Sequence, residues 1–331
     1  MGNKLKDQAR IDETDATILK MLLIDSRTSL TKIAKTCKIT VGAVRMRIKR
    51  LKKRGIIKSE VMLVNPHSLG YKCVVDLGIT TPVEYEKEVT DFLREKLSRA
   101  NVIGPFAKYN VFAVAPLKSI HELAGLVENL ESHPHVKRVE TMIWAEAVRM
   151  EHMEKLIIEP FKKDSIRQKI ESANAISLEE VKIDEIDRQI AKTLSQNARM
   201  SFNKIAEQLE ISTKNVIKRY NRLRGTVLTH STILVDLKKL GFNAFAFLFI
   251  KVANRSKMPD IFAQILQIPN MVVAFRLIGN YDLTATVFLK NFGELFEATD
   301  QLRKIPGIDL IDTYVTPAWD SWPPNLFVSL L

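Results

Sequence analysis

The 331 residues exceed what one small motif needs and fit about two domains, or a few small ones. With 46% hydrophobic and 27% charged residues and a mean hydropathy near zero, the chain has the apolar material for real cores, which excludes a disordered or membrane-resident class. Its net charge is +12, and residues 1–60 hold 16 Lys and Arg against 6 Asp and Glu, so ten of those twelve charges sit in the first fifth of the chain and point to an anionic partner.

In chain order, the first residues show no apolar signal-peptide core, and Lys6 stands where a myristoylation signal needs Ser or Thr, so neither secretion nor lipid anchoring is expected. Ile11, Ile18, Leu19, Leu22 and Leu23 give one apolar helix face behind an acidic first turn that suits the helix dipole. Ser29 is placed to cap a second helix through Leu30, Ile33 and Ala34. Lys38, Ile39 and Thr40 form a turn, and Thr40 caps a third helix with Val41, Val44, Ile48 and Leu51 facing inward. From Val41 to Ser59 there is no acidic residue, while Arg45, Arg47, Lys49, Arg50, Lys52, Lys53, Arg54 and Lys58 run through the stretch. That is a phosphate-seeking surface in a helix-turn-helix arrangement, unless it is only a solvated basic face.

Residues 55–58 and 61–64 read as the two arms of a small hairpin, closed by Asn65-Pro66. A sheet domain follows: a strand at 73–79, a helix at 84–97, strands at 101–106 and 111–115, a helix at 120–130 and a strand at 136–144. That βαββαβ order is that of a ferredoxin-like sandwich. Residues 146–182 read as a helix followed by a linker. The alternating His133 and His135 lack further ligands in sequence and read as a solvated turn, so no metal is expected. Cys37 and Cys73 are too few for a disulfide framework or a four-cysteine zinc site and fit a reducing cytoplasm.

The chain then repeats itself. Ile11-Asp12-Glu13-x-Asp15 returns as Ile183-Asp184-Glu185-x-Asp187, a shift of 172 positions, and Ile18, Leu22, Arg27, Ser29, Ile33, Val44, Arg47 and Leu51 recur at that shift. Ser201 and then Ser212 or Thr213 cap the repeated second and third helices, and the latter carries Lys214, Lys218, Arg219, Arg222 and Arg224. A second βαββαβ pattern covers 244–252, 259–266, 271–278, 283–289, 292–304 and 308–315. Its apolar run at 244–250 is far short of the roughly 20 residues that span a bilayer, so no membrane partner is expected. Trp319 and Trp322 lie in a tail expected to cover a sheet edge rather than bind a ligand. The chain is therefore read as α+β, with two winged-helix-like helix-turn-helix domains alternating with two ferredoxin-like domains. The expected divisions are 1–64, 65–146, a helix and linker at 147–182, 183–236 and 237–331.

These motifs, with Val44-x-x-Arg47-Ile48-x-x-Leu51, Gly55-Ile56-Ile57, Gly279-Asn280-Tyr281-Asp282 and Ile305-Pro306-Gly307-Ile308, closely resemble the Lrp/AsnC (feast/famine) transcription regulators, over nearly the whole chain and twice. The resemblance implies that the helix-turn-helix domains bind double-stranded DNA. It also implies that the sheet domains, called RAM domains in the family, pair through their sheets, here as an intramolecular pseudo-dimer open to further homo-oligomerisation. An amino-acid effector is implied near the Gly-x-Tyr-Asp turn.

The expected DNA contacts are Thr40, Val41, Gly42, Arg45, Arg47, Lys49, Arg50, Lys52 and Lys53 in the first copy, and Thr213, Lys214, Asn215, Lys218, Arg219 and Arg222 in the second. The expected effector residues are Gly279, Tyr281 and Asp282, where glycine admits close backbone approach and the carboxylate accepts from an ammonium. A tight turn between strands is the alternative for these three. The first copy has Ala107-Lys108-Tyr109-Asn110 there, without the glycine or the carboxylate. Enzymes that decarboxylate sirohaem resemble the same family as fused pairs, and are the alternative function. That chemistry calls for a propionate-binding Arg and a proton-donating His or Tyr, and Tyr109, His121, His133 and His135 do not form such a set in sequence. Accordingly no catalytic residue and no cofactor is expected.

Overall fold

The computed structural model describes residues 11–97, 99–145, 155–160 and 177–331. The helix and linker expected at 147–182 fall for the most part outside the described residues. Asp12 caps α1 (Glu13–Ile24) by accepting from the Asp15 amide at 2.8 Å, and Ser29 caps α2 (Leu30–Cys37). Lys38 then takes a left-handed conformation, which turns the chain so that Thr40 caps α3 (Val41–Lys53). Ile18, Leu22, Ile33, Val44 and Leu51 are fully or almost fully buried where these three helices meet.

The second copy forms α6 (Glu185–Gln196), α7 (Phe202–Gln208) and α8 (Thr213–Leu223) in the same way. Asp184 and Asp187 make a capping box, and the cap of α8 is Ser212.

The expected hairpin at 55–64 is not formed. Residues Ile57–Val64 are one strand, β1, because no turn residue interrupts them and their partner lies elsewhere. β1 pairs antiparallel with β6 (Leu228–Val235), from Ile57 opposite Val235 to Val64 opposite Leu228. The wing strand of each helical unit thus completes that of the other, across some 170 residues of sequence. Trp322 of the tail adds to the outer edge of β6, its N–H and carbonyl both bonded to Val235 at 3.0 and 2.8 Å. The tail covers a sheet edge as expected, but Trp319 and Trp322 also line the space between the two sheets.

Each sheet domain has the βαββαβ order. The first contains β2 (Cys73–Thr80), α4 (Glu86–Lys96), β3 (Asn101–Phe106), β4 (Tyr109–Leu117), α5 (Glu122–Glu131) and β5 (Arg138–Trp144). The second contains β7 (Ala244–Val252), α9 (Met258–Ile265), β8 (Met271–Ile278), β9 (Leu283–Leu289), α10 (Phe292–Arg303) and β10 (Ile308–Pro317). Alternation sorts each sheet into two apolar faces. Val75, Leu77 and Ile79 face α4 and α5, and Ala246, Leu248 and Ile250 face the helices of the second domain. The opposite faces meet each other, with the Phe106 and Phe247 rings 3.9 Å apart.

The sheets are also continuous at one flank, in the order β10-β7-β9-β8-β5-β2-β4-β3, through Ile143 opposite Ile278 and Trp144 opposite Leu277. At that junction the Ala145 amide donates to the Arg276 carbonyl at 3.0 Å. The residue 172 positions on is Pro317, which has no N–H to give, and β10 and β3 end the sheet order without pairing. Among the described residues no helix is long and apolar enough to cross a membrane.

Candidate nucleic-acid interface

The repeated Ile-Asp-Glu-x-Asp motif is the device that sets each third helix. Asp15, almost fully buried, accepts from Arg47 at 2.9 Å and from Arg50 at 2.6 Å, and Asp12 accepts from Arg47 at 2.6 Å. In the second copy Asp184 and Asp187 hold Arg219 at 2.7 and 2.8 Å, and Asp187 also holds Arg222. The Arg219 guanidinium, by hydrogen bonding, keeps the Asp184 carboxyl below the ordinary carboxylate range. Lys52 pairs with Glu60 at 2.5 Å.

Five of the expected DNA contacts, Arg47, Arg50, Lys52, Arg219 and Arg222, are therefore engaged by carboxylates of the chain itself. Thr40 uses its side chain to cap α3, while Val41 is only partly exposed, packing against the core, and Thr213 is half-buried in the first turn of α8. Asn215 accepts from Arg219 at 3.1 Å.

Arg50, Lys52 and Arg222 are exposed as well, but a different stripe carries the cations without an acidic partner. Gly42, Arg45, Met46, Lys49 and Lys53 are exposed at helical spacing along α3, and no described residue pairs with Arg45, Lys49 or Lys53. The equivalent positions on α8 are Lys214, Ile217, Lys218 and Asn221, also exposed. One stripe thus carries three cations and the other two, with different side chains at every position.

The two helical units are held to each other by more than the β1 to β6 ladder. Arg27 donates to the Ala198 carbonyl, and its guanidinium lies over the Phe202 and Tyr220 rings at 4.7 and 5.2 Å. Arg199 donates to the Ser26 carbonyl at 2.5 Å, and burial pushes its pKa down from the ordinary arginine value. The Ser26 and Ser231 hydroxyls are 2.5 Å apart. Arg27 and Arg199 were visible as repeated residues in the sequence, but nothing there told which carbonyls they reach.

The Gly-x-Tyr-Asp turn is occupied by the protein's own groups. A Cβ on Gly279, at φ +150°, would lie 2.9 Å from the Thr141 carbonyl oxygen, so the close approach that the glycine admits is that of the first sheet domain. Tyr281 donates to Asp312, and Asp282 accepts from the Val252 amide at 3.1 Å and from Arg255 Nε at 2.8 Å. The first copy repeats the tyrosine pair: Tyr109 donates to Glu140 at 3.1 Å, and Asn280 reaches the same carboxylate at 2.9 Å from the other copy. Ala107 takes the left-handed conformation at the turn, at φ 57°.

The AsnC-type helix-turn-helix domain matches residues 11–52 and 183–224, and the Lrp/AsnC ligand-binding domain matches residues 244–316. The HTH-type transcriptional regulator LrpA of Pyrococcus horikoshii is 35% identical over 119 residues, which are 36% of this chain and 84% of that protein. The chain belongs to the Lrp/AsnC family. A second Lrp/AsnC relative, the regulator FL11 of the same organism, is 26% identical over 136 residues, 41% of this chain and 89% of FL11. Each of these relatives corresponds to less than half of the chain, in keeping with a tandem Lrp/AsnC architecture. Over 94% of its length the chain also resembles the solved siroheme decarboxylase NirDL, with a TM-score of 0.60, 14% identity and 92% of that protein covered. At that identity the likeness is one of fold.

Proposed function

We propose that this Lrp/AsnC protein is a DNA-binding transcription regulator that reads one duplex with two unequal helix-turn-helix units fixed in a single chain. The observation that carries the reading is the unpaired, exposed stripe of Arg45, Lys49 and Lys53 on an N-capped helix. Cations without an acceptor of their own are available to phosphates, whereas Arg47, Arg50, Arg219 and Arg222 act by holding the helices in place. Gly42 lets the start of α3 approach the groove, and Arg45 is suited to guanine. On α8, Ile217 suits a thymine methyl and Asn221 suits adenine, so the second half-site is read as A·T-rich. The relatives' names as HTH-type transcriptional regulators support this reading.

A small effector belongs to the same proposal, since the second sheet domain is of the ligand-binding type. An amino acid at the Gly279 turn would have to displace Arg255 from Asp282 to place its ammonium there. The test is fluorescence anisotropy on promoter-region and scrambled duplexes at two salt concentrations, with wild type and Lys49→Glu/Lys53→Glu. Specific, salt-sensitive binding lost in the variant supports the regulator. If wild type binds no duplex the reading falls, and the fold's likeness to siroheme decarboxylase becomes the one to pursue.

A further inference from the structure

The cavity between the two sheets is walled by the rings of Phe106, Phe112, Phe247 and Phe275 and by all three tryptophans of the chain, Trp144, Trp319 and Trp322. Into this apolar space the second sheet brings the hydroxyls of Thr284 and Thr286, buried and without a hydrogen bond to any described residue. The first sheet brings Asp76, only 4% exposed. One of its oxygens accepts from Trp144 Nε1 at 2.9 Å, and the other has no donor among the described residues. Among the described residues no Lys, Arg or His lines the cavity.

The fold does not require a carboxylate here. By strand register the equivalent of Asp76 in the second sheet is Phe247, as Val114 opposite Asp76 corresponds to Thr286 opposite Phe247. A buried carboxylate with an open valence costs stability unless it meets a cation, and ring faces attract cations. We propose that this inter-sheet cavity binds a small organic monocation, an alkylammonium with a compact apolar body, with Asp76 as its counter-ion and the aromatic rings as its walls. Zwitterions are disfavoured, because an amino acid's carboxylate would be buried with no cation among the described lining residues to pair it, only the unpartnered Trp322 Nε1–H and the two threonine hydroxyls. About 90 Å3, against the roughly 150 Å3 of an apolar cavity that takes benzene, limits the body to about four carbons.

Three isosteres separate the possibilities: isobutylamine, valine, which adds a carboxylate to the same skeleton, and isobutanol, which removes the charge. Because every tryptophan lines the cavity, intrinsic fluorescence of the full chain reports its occupancy. The expected result is a saturable change with isobutylamine at pH 8, none with the other two, and an affinity lowered by roughly 30-fold or more in Asp76→Asn, as when a buried charge pair loses one partner. Asn keeps the acceptor for Trp144, and an unchanged circular dichroism spectrum verifies that the variant is folded. Among the described residues no other titratable group lines the cavity, and burial pushes Asp76 up to about 7, so binding should weaken roughly tenfold or more between pH 8 and pH 5.5. Equal binding of isobutanol or valine, no saturable change with the amine, or full affinity in Asp76→Asn each overturns the proposal. None of these outcomes bears on DNA binding, which is measured separately.

Discussion

Arg27 and Arg199 each donate to the backbone carbonyl of the residue that precedes the other, Ala198 and Ser26. Lying 172 positions apart at matching places in the two copies, they tie the helical units together reciprocally, so neither recognition helix is positioned by its own unit alone. Arg27→Ala and Arg199→Ala are each expected to lower stability by about 1–3 kcal/mol, the cost of leaving such carbonyls without a charged donor. Urea unfolding measures this. Binding to a full two-part site should suffer more than binding to either half-site, and equal losses on both would show that the arginines do not set the spacing.

Asp15 is expected to matter more than its single charge implies, because it receives both Arg47 and Arg50. Asp15→Ala should cost about 1–3 kcal/mol, less than a fully buried ion pair because both arginines are partly exposed. In the repeated motif the folded Asp184 carboxyl lies below its unfolded value, so its stabilising contribution is present above the ordinary carboxylate range and is lost as pH falls through the lowered value. A wild-type acid titration should therefore show α6 loosening only below the ordinary carboxylate range.

Asp76 runs the other way. Its folded pKa, about 7 against an ordinary 3.8, means that the native state holds a proton the unfolded chain has released, so stability falls as pH rises between those values. The shift corresponds to about 4 kcal/mol. Asp76→Asn should raise the melting temperature at pH 8 and change it little at pH 4. An identical effect at both pH values would remove the titration argument.

If α3 and α8 read different bases, sites selected from a random duplex library should be non-palindromic, with one half G·C-bearing and the other A·T-rich. Lys49→Ala should reduce the salt slope by about one and weaken all sequences alike. A selected operator with two-fold symmetry would contradict the asymmetry.

Gly279→Ala tests the turn. Its backbone lies in a region that side chains rarely adopt, and the new Cβ would meet the Thr141 oxygen. A loss of about 1–3 kcal/mol is expected, with unfolding of the whole chain as the readout.

Much of this was legible because it is local. Helix caps at Ser29, Thr40 and Ser201 and the strand alternation around Val75 and Ala246 are written within a few residues, and the shift of 172 made the second copy readable from the first. What failed was pairing over distance. The segment Ile57–Val64 looks like half of many structures, and only the approach of Leu228–Val235 makes it one strand. Arg47 and Arg50 lie in an acid-free stretch and read as free cations, while the carboxylates that hold them sit 32 to 35 positions earlier, at the start of another helix. Asp76 reads as one polar residue in an apolar strand, since its hydrogen-bond partner Trp144 is 68 positions away and the opposite wall of its cavity comes from a sheet more than 150 residues away.

The exchange of β1 and β6 within one chain has a consequence for mass action. Two separate chains would have to find each other before offering a pair of reading helices, and dilution would part them. Here the partner strand is always present at the high local concentration set by the connecting chain. The pairing should survive at concentrations where a two-chain assembly falls apart, and operator occupancy should rise with the first power of protein concentration rather than the second.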